Sequence, residues 1–297
     1  MRFGVQTALQ NTRPNELIPL WRRLEDLGYD WISVWDHFHA VGGGTDNLEA
    51  MTMHTALALC TERVRVGGLV YSVNYRPLAV LANGIAAIDH LSNGRATLGL
   101  GAGYMQSEYD AWGYDFPPPR DRLDLLEDSL SGLRRLFAGE AVTEHRRHLR
   151  LEGAVCDPTP VQERLPIWIG GGGEQRTIPM AARLADGWNV PMASLSDFDR
   201  KVRILDHHIE LAGRDRRAVE RSVGLGLCWD RSLLAERFGN RAASLEPMIL
   251  GGSTGEVTER VAAYRDAGAD WLLVSIRAPF DLEELERFAE EIVPEFR

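Results

Sequence analysis

Residues 64–103 read VRVGGLVYSVNYRPLAVLANGIAAIDHLSNGRATLGLGAG, and their rhythm decides the fold. Val64 to Tyr71 is a near-continuous apolar run, and Pro77 to about His90 has helical spacing. Ala96 to Leu100 is a second run, leading into Gly101-Ala102-Gly103. Strands that are apolar on consecutive residues, not alternate ones, have both sheet faces buried, as parallel strands do. Strand, helix, strand in that order is the unit from which parallel sheets are built.

The unit repeats on both sides. Upstream, Phe3 to Thr7 reads as a strand, and Pro14 to Leu27 as a helix with proline in its first turn and Gly28 past its end. Trp31 to Trp35 is the second strand, followed by a polar loop and a helix near Leu48 to Cys60. Downstream, Arg122 to Phe137 is the helix after the fourth strand. Residues 139–165, charged and carrying Pro158 and Pro160, break the rhythm and read as an insertion with a short hairpin.

Alternation then resumes. Strands are expected at Pro166 to Gly170, Gly187 to Val190, Ser222 to Trp229 and Trp271 to Ile276. Helices are expected from about Glu174 to Ala185, near Asp197 to Ala212, and at Ser253 to Ala267 and Leu282 to Ile292. The third of these opens on Ser253-x-x-Glu256, a capping-box pattern. Eight such units predict an α/β protein, a (β/α)8 TIM barrel with an insertion around 139–165, in a single domain over 1–297. A doubly wound open sheet is the alternative. A barrel places function in the loops after the C-terminal strand ends.

Composition narrows the chemistry. The net charge of −10 disfavours nucleic acid and anionic membranes as partners. No stretch is apolar enough to span a bilayer, and MRFGVQTALQ carries no export signal, so a cytoplasmic location is expected. Cys60, Cys156 and Cys228 lack CxxC spacing, which argues against structural zinc and disulfides. Of 33 basic residues only Lys201 is lysine; on an amphipathic stretch it is expected on a solvated face, which nearly excludes lysine chemistry. Glu16, Glu25, Asp26, Asp124, Glu127 and Asp128 are likewise expected at helix surfaces.

The strand ends carry the candidate site. Gln6, Thr7 and Gln10 follow the first strand, Asp36-His37-Phe38-His39 the second, and Tyr71-Ser72 the third. Gly101-Ala102-Gly103-Tyr104 follows the fourth, and Gly171-Gly172-Gly173 the fifth. His37 and His39 offer two metal ligands, but such a site needs more at other strand ends. The remaining histidines fall in expected helices or the insertion, so no metal is expected. Orientation and hydrogen bonding are the roles expected of His37, with bonds from Asp36 and His37 to loop backbone as the competing reading. The glycine turns suit an anion, because no Cβ blocks approach to their N–H groups. Two at successive strand ends converge on one face. They fit neither GxGxxG nor a P-loop, and so favour a monophosphate-tailed cofactor. Without a nucleophile constellation, the chemistry falls to a bound cofactor.

MRFGVQ, WDHFH, residues 67–116 from GGLVYSVNYRP to AWGYDF, and PIWIGGGGEQRTIPMAARLADGWNV together resemble the bacterial luciferase-like superfamily. Within it they are most similar to the F420-dependent oxidoreductase branch. The resemblance is densest over residues 1–192 and weaker around 229–250. It implies a TIM barrel holding a flavin or deazaflavin at the strand ends. It also implies a non-proline cis peptide at Leu69-Val70 behind the ring, with Ser72 nearby, and phosphate loops at Gly101, Ala102, Gly103 and Gly171, Gly172, Gly173. Asp36 and His37 match the pair facing the ring, and His37 is the catalytic residue implied. The sugar- and alcohol-oxidising relatives carry tryptophan where Val41 stands and glutamates where Gln10 and Tyr104 stand. These three then line a different substrate pocket.

The expectation is an oxidoreductase passing hydride between coenzyme F420 and a small organic substrate. The alternatives are an FMN-dependent monooxygenase fed by a separate reductase, and a cofactor-binding protein without turnover. A homodimer is implied by the family. Holding an anionic cofactor in an acidic chain requires backbone N–H groups and local arginines, for which Arg76 and Arg176 are the candidates.

Overall fold

The computed structural model describes residues 1–42 and 44–297. Its strands are β1 (Arg2–Thr7), β2 (Trp31–Val34), β3 (Arg65–Ser72), β4 (Ala96–Gly101), β5 (Val142–His145) and β6 (Arg150–Ala154). They continue with β7 (Ile167–Gly170), β8 (Gly187–Pro191), β9 (Glu220–Leu227), β10 (Ile249–Leu250) and β11 (Trp271–Ile276). The helices are α1 (Pro14–Asp26), α2 (Ala50–Cys60), α3 (Leu78–Leu91), α4 (Gln106–Trp112), α5 (Pro119–Phe137) and α6 (Thr177–Leu184). They end with α7 (Leu195–Leu211), α8 (Leu234–Phe238), α9 (Ala242–Leu245), α10 (Thr254–Asp266) and α11 (Leu282–Glu291).

β11, β1, β2, β3, β4, β7, β8 and β9 pair in parallel in that order, and β9 pairs back to β11. The sheet is therefore closed, a (β/α)8 barrel, and the open-sheet alternative falls. β5 and β6 form the antiparallel hairpin expected in the insertion. Sequence periodicity did not reveal α4, the short turns of helix between 231 and 248, or β10. All are too short to show a period. No helix among the described residues is long and apolar enough to cross a membrane.

Inside the barrel, the N-terminal end is filled by Trp31, Trp168 and Trp271, with ring centroids 4.8 and 5.2 Å apart. Three indoles fit only because glycines face them. A Cβ on Gly187 would lie 2.2 Å from Trp168, and one on Gly67 2.7 Å from Trp31 Nε1. Arg2 and Arg65 lie over Trp271, 4.0 and 4.9 Å from its centroid, and both pair with Glu220. The barrel floor is thus solid and capped by charge.

Glu25 corrects one expectation. It is buried, not solvated, and accepts the N–H groups of Glu62, Arg63 and Val64 at 2.6–3.1 Å. It ties α1 to the turn entering β3. Burial pushes its pKa up, but these bonds outweigh burial and hold it below the usual carboxylate range.

Candidate functional site

At the other end β1, β3, β4 and β7 finish in Thr7, Ser72, Gly101 and Gly170. The Leu69–Val70 peptide is cis. Val70 fills the space that side chains on β4 and β7 would occupy. A Cβ on Gly101 would come within 2.6 Å of Val70 Cγ2, and one on Gly170 within 2.5 Å of Cγ1. Gly103 has φ +73°, and a Cβ there would lie 2.0 Å from the Tyr109 hydroxyl, so this turn admits glycine alone.

The two glycine turns share one construction. In the first, the carbonyls are all engaged: Val73 N–H donates to Gly101, Asn74 Nδ2 to Ala102, and Arg122 to Gly103. In the second, Trp188 Nε1 donates to Gly171 O, Lys201 Nζ to Gly172 O, and Ile178 N–H to Gly173 O. Among the described residues, the N–H groups of Ala102, Gly103, Gly172 and Gly173 donate to nothing in the chain. Carbonyls held inward and amides left free make an anion cradle, and the second stands just before α6.

Lys201 overturns its expected solvated place. The side chain is buried, with Nζ 2.8 Å from Gly172 O, 2.9 Å from Glu174 Oε1 and 3.7 Å from Asp197. A longer planar guanidinium would not fit so readily, since a Cβ on Gly172 would already sit 3.1 Å from Lys201 Cε. Arg76 and Arg176 are both committed to carboxylates. Arg176 pairs with Asp124 and Glu127 at 2.7 and 3.3 Å. Arg76 forms a two-pronged pair with Asp36, 2.7 and 2.9 Å, and also meets Glu49.

Asp36 is correspondingly enclosed. Its second role is to accept Ser72 N–H at 3.0 Å, so it staples the end of β2 to the end of β3. Burial pushes its carboxyl up, and Arg76 draws it only part of the way back, so it stays above the usual carboxylate range. Ser72 Oγ lies 2.9 Å from Tyr109 Oη. Asp36 thus bonds both backbone and a guanidinium at the ends of β2 and β3.

His37 differs. Its Nδ1 lies 2.9 Å from Glu108 Oε2, on a carboxylate with no exposed surface. Glu108 also accepts Phe38 N–H at 2.6 Å, His39 N–H at 2.8 Å and the Tyr75 hydroxyl at 2.8 Å. Burial pushes Glu108 up, but the bonds from His37, His39 and Tyr75 prevail and hold it at about 2. An ionised carboxylate only accepts, so Nδ1 carries the hydrogen, and in the neutral imidazole Nε2 is the nitrogen that can accept a proton. Trp35 and Tyr104 frame the imidazole edge-on at 5.4 and 5.6 Å.

Glu108 was missed in the sequence because α4 spans less than two turns. Its one signal is Gly113, a left-handed C-cap at φ +72° seven residues past Gln106, where α4 begins. Gln10 is buried and accepts Val41 N–H at 2.8 Å, so these two pocket candidates hold each other. Tyr104 is 66% exposed at the rim. Asp121, Asp124 and His148 are close enough to share an ion, but they lie on α5 and the hairpin turn, where Arg147 and Arg176 already pair with the two acids.

This architecture and these motifs agree with known proteins. The chain is 26% identical to the F420-dependent glucose-6-phosphate dehydrogenase of Microbacterium testaceum, over 100% of this chain and 98% of that one. It is 27% identical to the 5,10-methylenetetrahydromethanopterin reductase of Archaeoglobus fulgidus, over 90% of this chain and 75% of that one. In shape it superimposes on an F420-dependent secondary alcohol dehydrogenase, complexed with an F420–acetone adduct, with a TM-score of 0.88 at 18% identity, covering 100% and 99% of the two chains. The family model described as luciferase-like monooxygenase matches residues 1–237. The chain belongs to the luciferase-like monooxygenase family.

Proposed function

We propose that this chain is an F420-dependent oxidoreductase that passes a hydride between the deazaflavin and a small organic substrate. The observation that carries it is the Glu108–His37 pair, which follows β2, in a barrel whose β4 and β7 ends carry the two anion cradles. The F420 dependence of the similar glucose-6-phosphate dehydrogenase and secondary alcohol dehydrogenase supports the choice of cofactor. Coenzyme F420, when bound, supplies a two-electron hydride donor or acceptor.

The chain's own residues do the rest. The free N–H groups of Ala102, Gly103, Gly172 and Gly173 bind the cofactor's phosphate, and Lys201 holds the second turn in shape. Backbone amides answer the acidity of the chain, since they bring dipoles to the anion without repelling neighbouring cations. Glu108 keeps the Nδ1–H tautomer, and His37 Nε2 takes a proton from a substrate hydroxyl as it is oxidised, or returns it in reduction. Neither step needs the glutamates that the sugar- and alcohol-oxidising enzymes place at the Gln10 and Tyr104 positions.

Titration with F420 and with FMN, followed by tryptophan fluorescence, tests the reading. F420 is expected to quench and FMN to bind weakly. Tight FMN binding with no response to F420, together with oxygen uptake on reduced FMN, would replace it with a flavin monooxygenase.

A further inference from the structure

A cavity of about 490 Å³ opens at the N-terminal end of the barrel, whereas His37 and the glycine turns stand at the other end. Its wall is built where three strands that neighbour one another in the ring begin. Arg2 opens β1, Asp270 precedes β11, and Arg221 is the second residue of β9. Arg216 and Arg217, in the turn before β9, and Arg265, in the last turn of α10, complete it. Five arginines thus line one space with a single acid among them.

Ion pairs do not use up this charge. Asp206 is shared, meeting Arg216 at 3.0 Å and Arg221 at 2.5 Å. Glu220 is shared as well, by Arg2 and by Arg65, the latter at 3.1 Å. Arg221 lies 3.7 Å from Asp270, and Arg265 pairs with Asp266 at 2.9 Å. Among the described residues the Arg217 guanidinium has no ion pair and no hydrogen bond; only its backbone N–H is engaged, by the Asp215 carboxylate that caps the turn. Six arginines, Arg65 included, share four paired carboxylates, so positive charge is left over in a chain whose net charge is −10.

Like charges gathered around one space repel, and an anion between them turns that cost into attraction. Planar guanidinium forks suit carboxylate or phosphate oxygens. The volume falls within the range of about 300–1,000 Å³ typical of clefts that hold small molecules. The tryptophan floor separates this cavity from the glycine turns, and Arg2 lies against its underside, 4.0 Å from the Trp271 centroid.

We propose that this cavity is a second anion-binding site, in which the five arginines take a small polyanion carrying at least two phosphate or carboxylate groups. It does not rest on the cofactor reading above, because all of its residues stand at the opposite end of the strands.

Pyrophosphate and citrate, titrated calorimetrically into the protein in metal-free buffer, test it on wild type, R216Q/R217Q, D270N and K201M. Wild type is expected to bind one polyanion per chain at this site, about tenfold or more weaker in R216Q/R217Q and tighter in D270N, with K201M unchanged. Binding of pyrophosphate alone would assign a phosphorylated ligand, and binding of citrate alone a polycarboxylate. Binding of neither would overturn the proposal, as would unchanged affinity in R216Q/R217Q. So would a loss confined to K201M, because the polyanion would then sit at the glycine turns. Should R216Q/R217Q fail to fold, D270N decides, since asparagine can still accept the Arg221 N–H that Asp270 accepts at 2.8 Å. Affinity no tighter than wild type in D270N would then overturn the site.

Discussion

At the N-terminal end of the barrel the strands carry Trp31, Trp168 and Trp271; two to four residues further along the same strands stand Ser33, Gly170 and Ser275. The first set packs to a floor with no exposed surface beyond 2%. The second leaves a mouth where amides and one imidazole nitrogen stay free. Period-two alternation keeps both sets pointing inward, so position along the strand alone separates stability from chemistry. Glycine serves both ends for opposite purposes. Gly187 makes room for a neighbour's indole, whereas Gly101 and Gly170 make room for Val70 and leave the turn bare.

The largest effect expected belongs to the floor. Trp168→Ala removes a fully buried indole and should cost about 3–5 kcal/mol in urea unfolding. The surviving folded protein should bind F420 as wild type does. A parallel loss of affinity would show that the two ends are not independent.

Next comes Glu108→Gln, which attacks the mouth. Activity should fall about a hundredfold, because His37 loses the partner that fixes its tautomer. The same carboxylate also leaves a mark on stability. Its folded pKa of about 2 lies below the usual 4.5, so its contribution is present above pH 4.5 and is lost as pH falls toward 2. Wild type should therefore lose about 3 kcal/mol across that window, at 1.36 kcal/mol for each unit between the two values, and the variant should not. Chemical unfolding at stepped pH reads this directly. An identical acid limb in both proteins would remove Glu108 from the account.

The smallest change tests one cradle alone. Lys201→Met should weaken F420 about tenfold while leaving affinity for the phosphate-free deazaflavin chromophore unchanged, a difference worth about 1.4 kcal/mol. Lys201→Arg should recover part of it. Equal loss for both ligands would mean that the lysine supports the barrel and not the phosphate.

The fold was largely legible in the sequence because its signal is repetitive. Eight apolar runs and the helices between them each report the same burial, and boundary errors of two or three residues at 220–229 or 174–185 leave the count intact. The hairpin inside 139–165 was legible through its broken rhythm. The site was legible in part. Glycine turns and WDHFH announce themselves by residue type. Glu108, Glu25 and Lys201 do not, because a charged residue on a short or amphipathic helix looks solvated until its partner is known. Lys201 left one trace, as the sole lysine among 33 basic residues, and it sits where a compact ammonium meets a carbonyl.

Hydrophobic periodicity by itself pointed to the barrel and its insertion, and the strand-end motifs with the family resemblance pointed to the candidate face and to His37. They are local signals, written within a few residues of the structure that they specify. Tertiary structure alone decided the pairings: Glu108 with His37 across 71 residues, Arg76 with Asp36 across 40, Lys201 with Gly172 across 29. The physical reason is that a charge takes its role from what it meets after burial, and that meeting depends on closure of the ring.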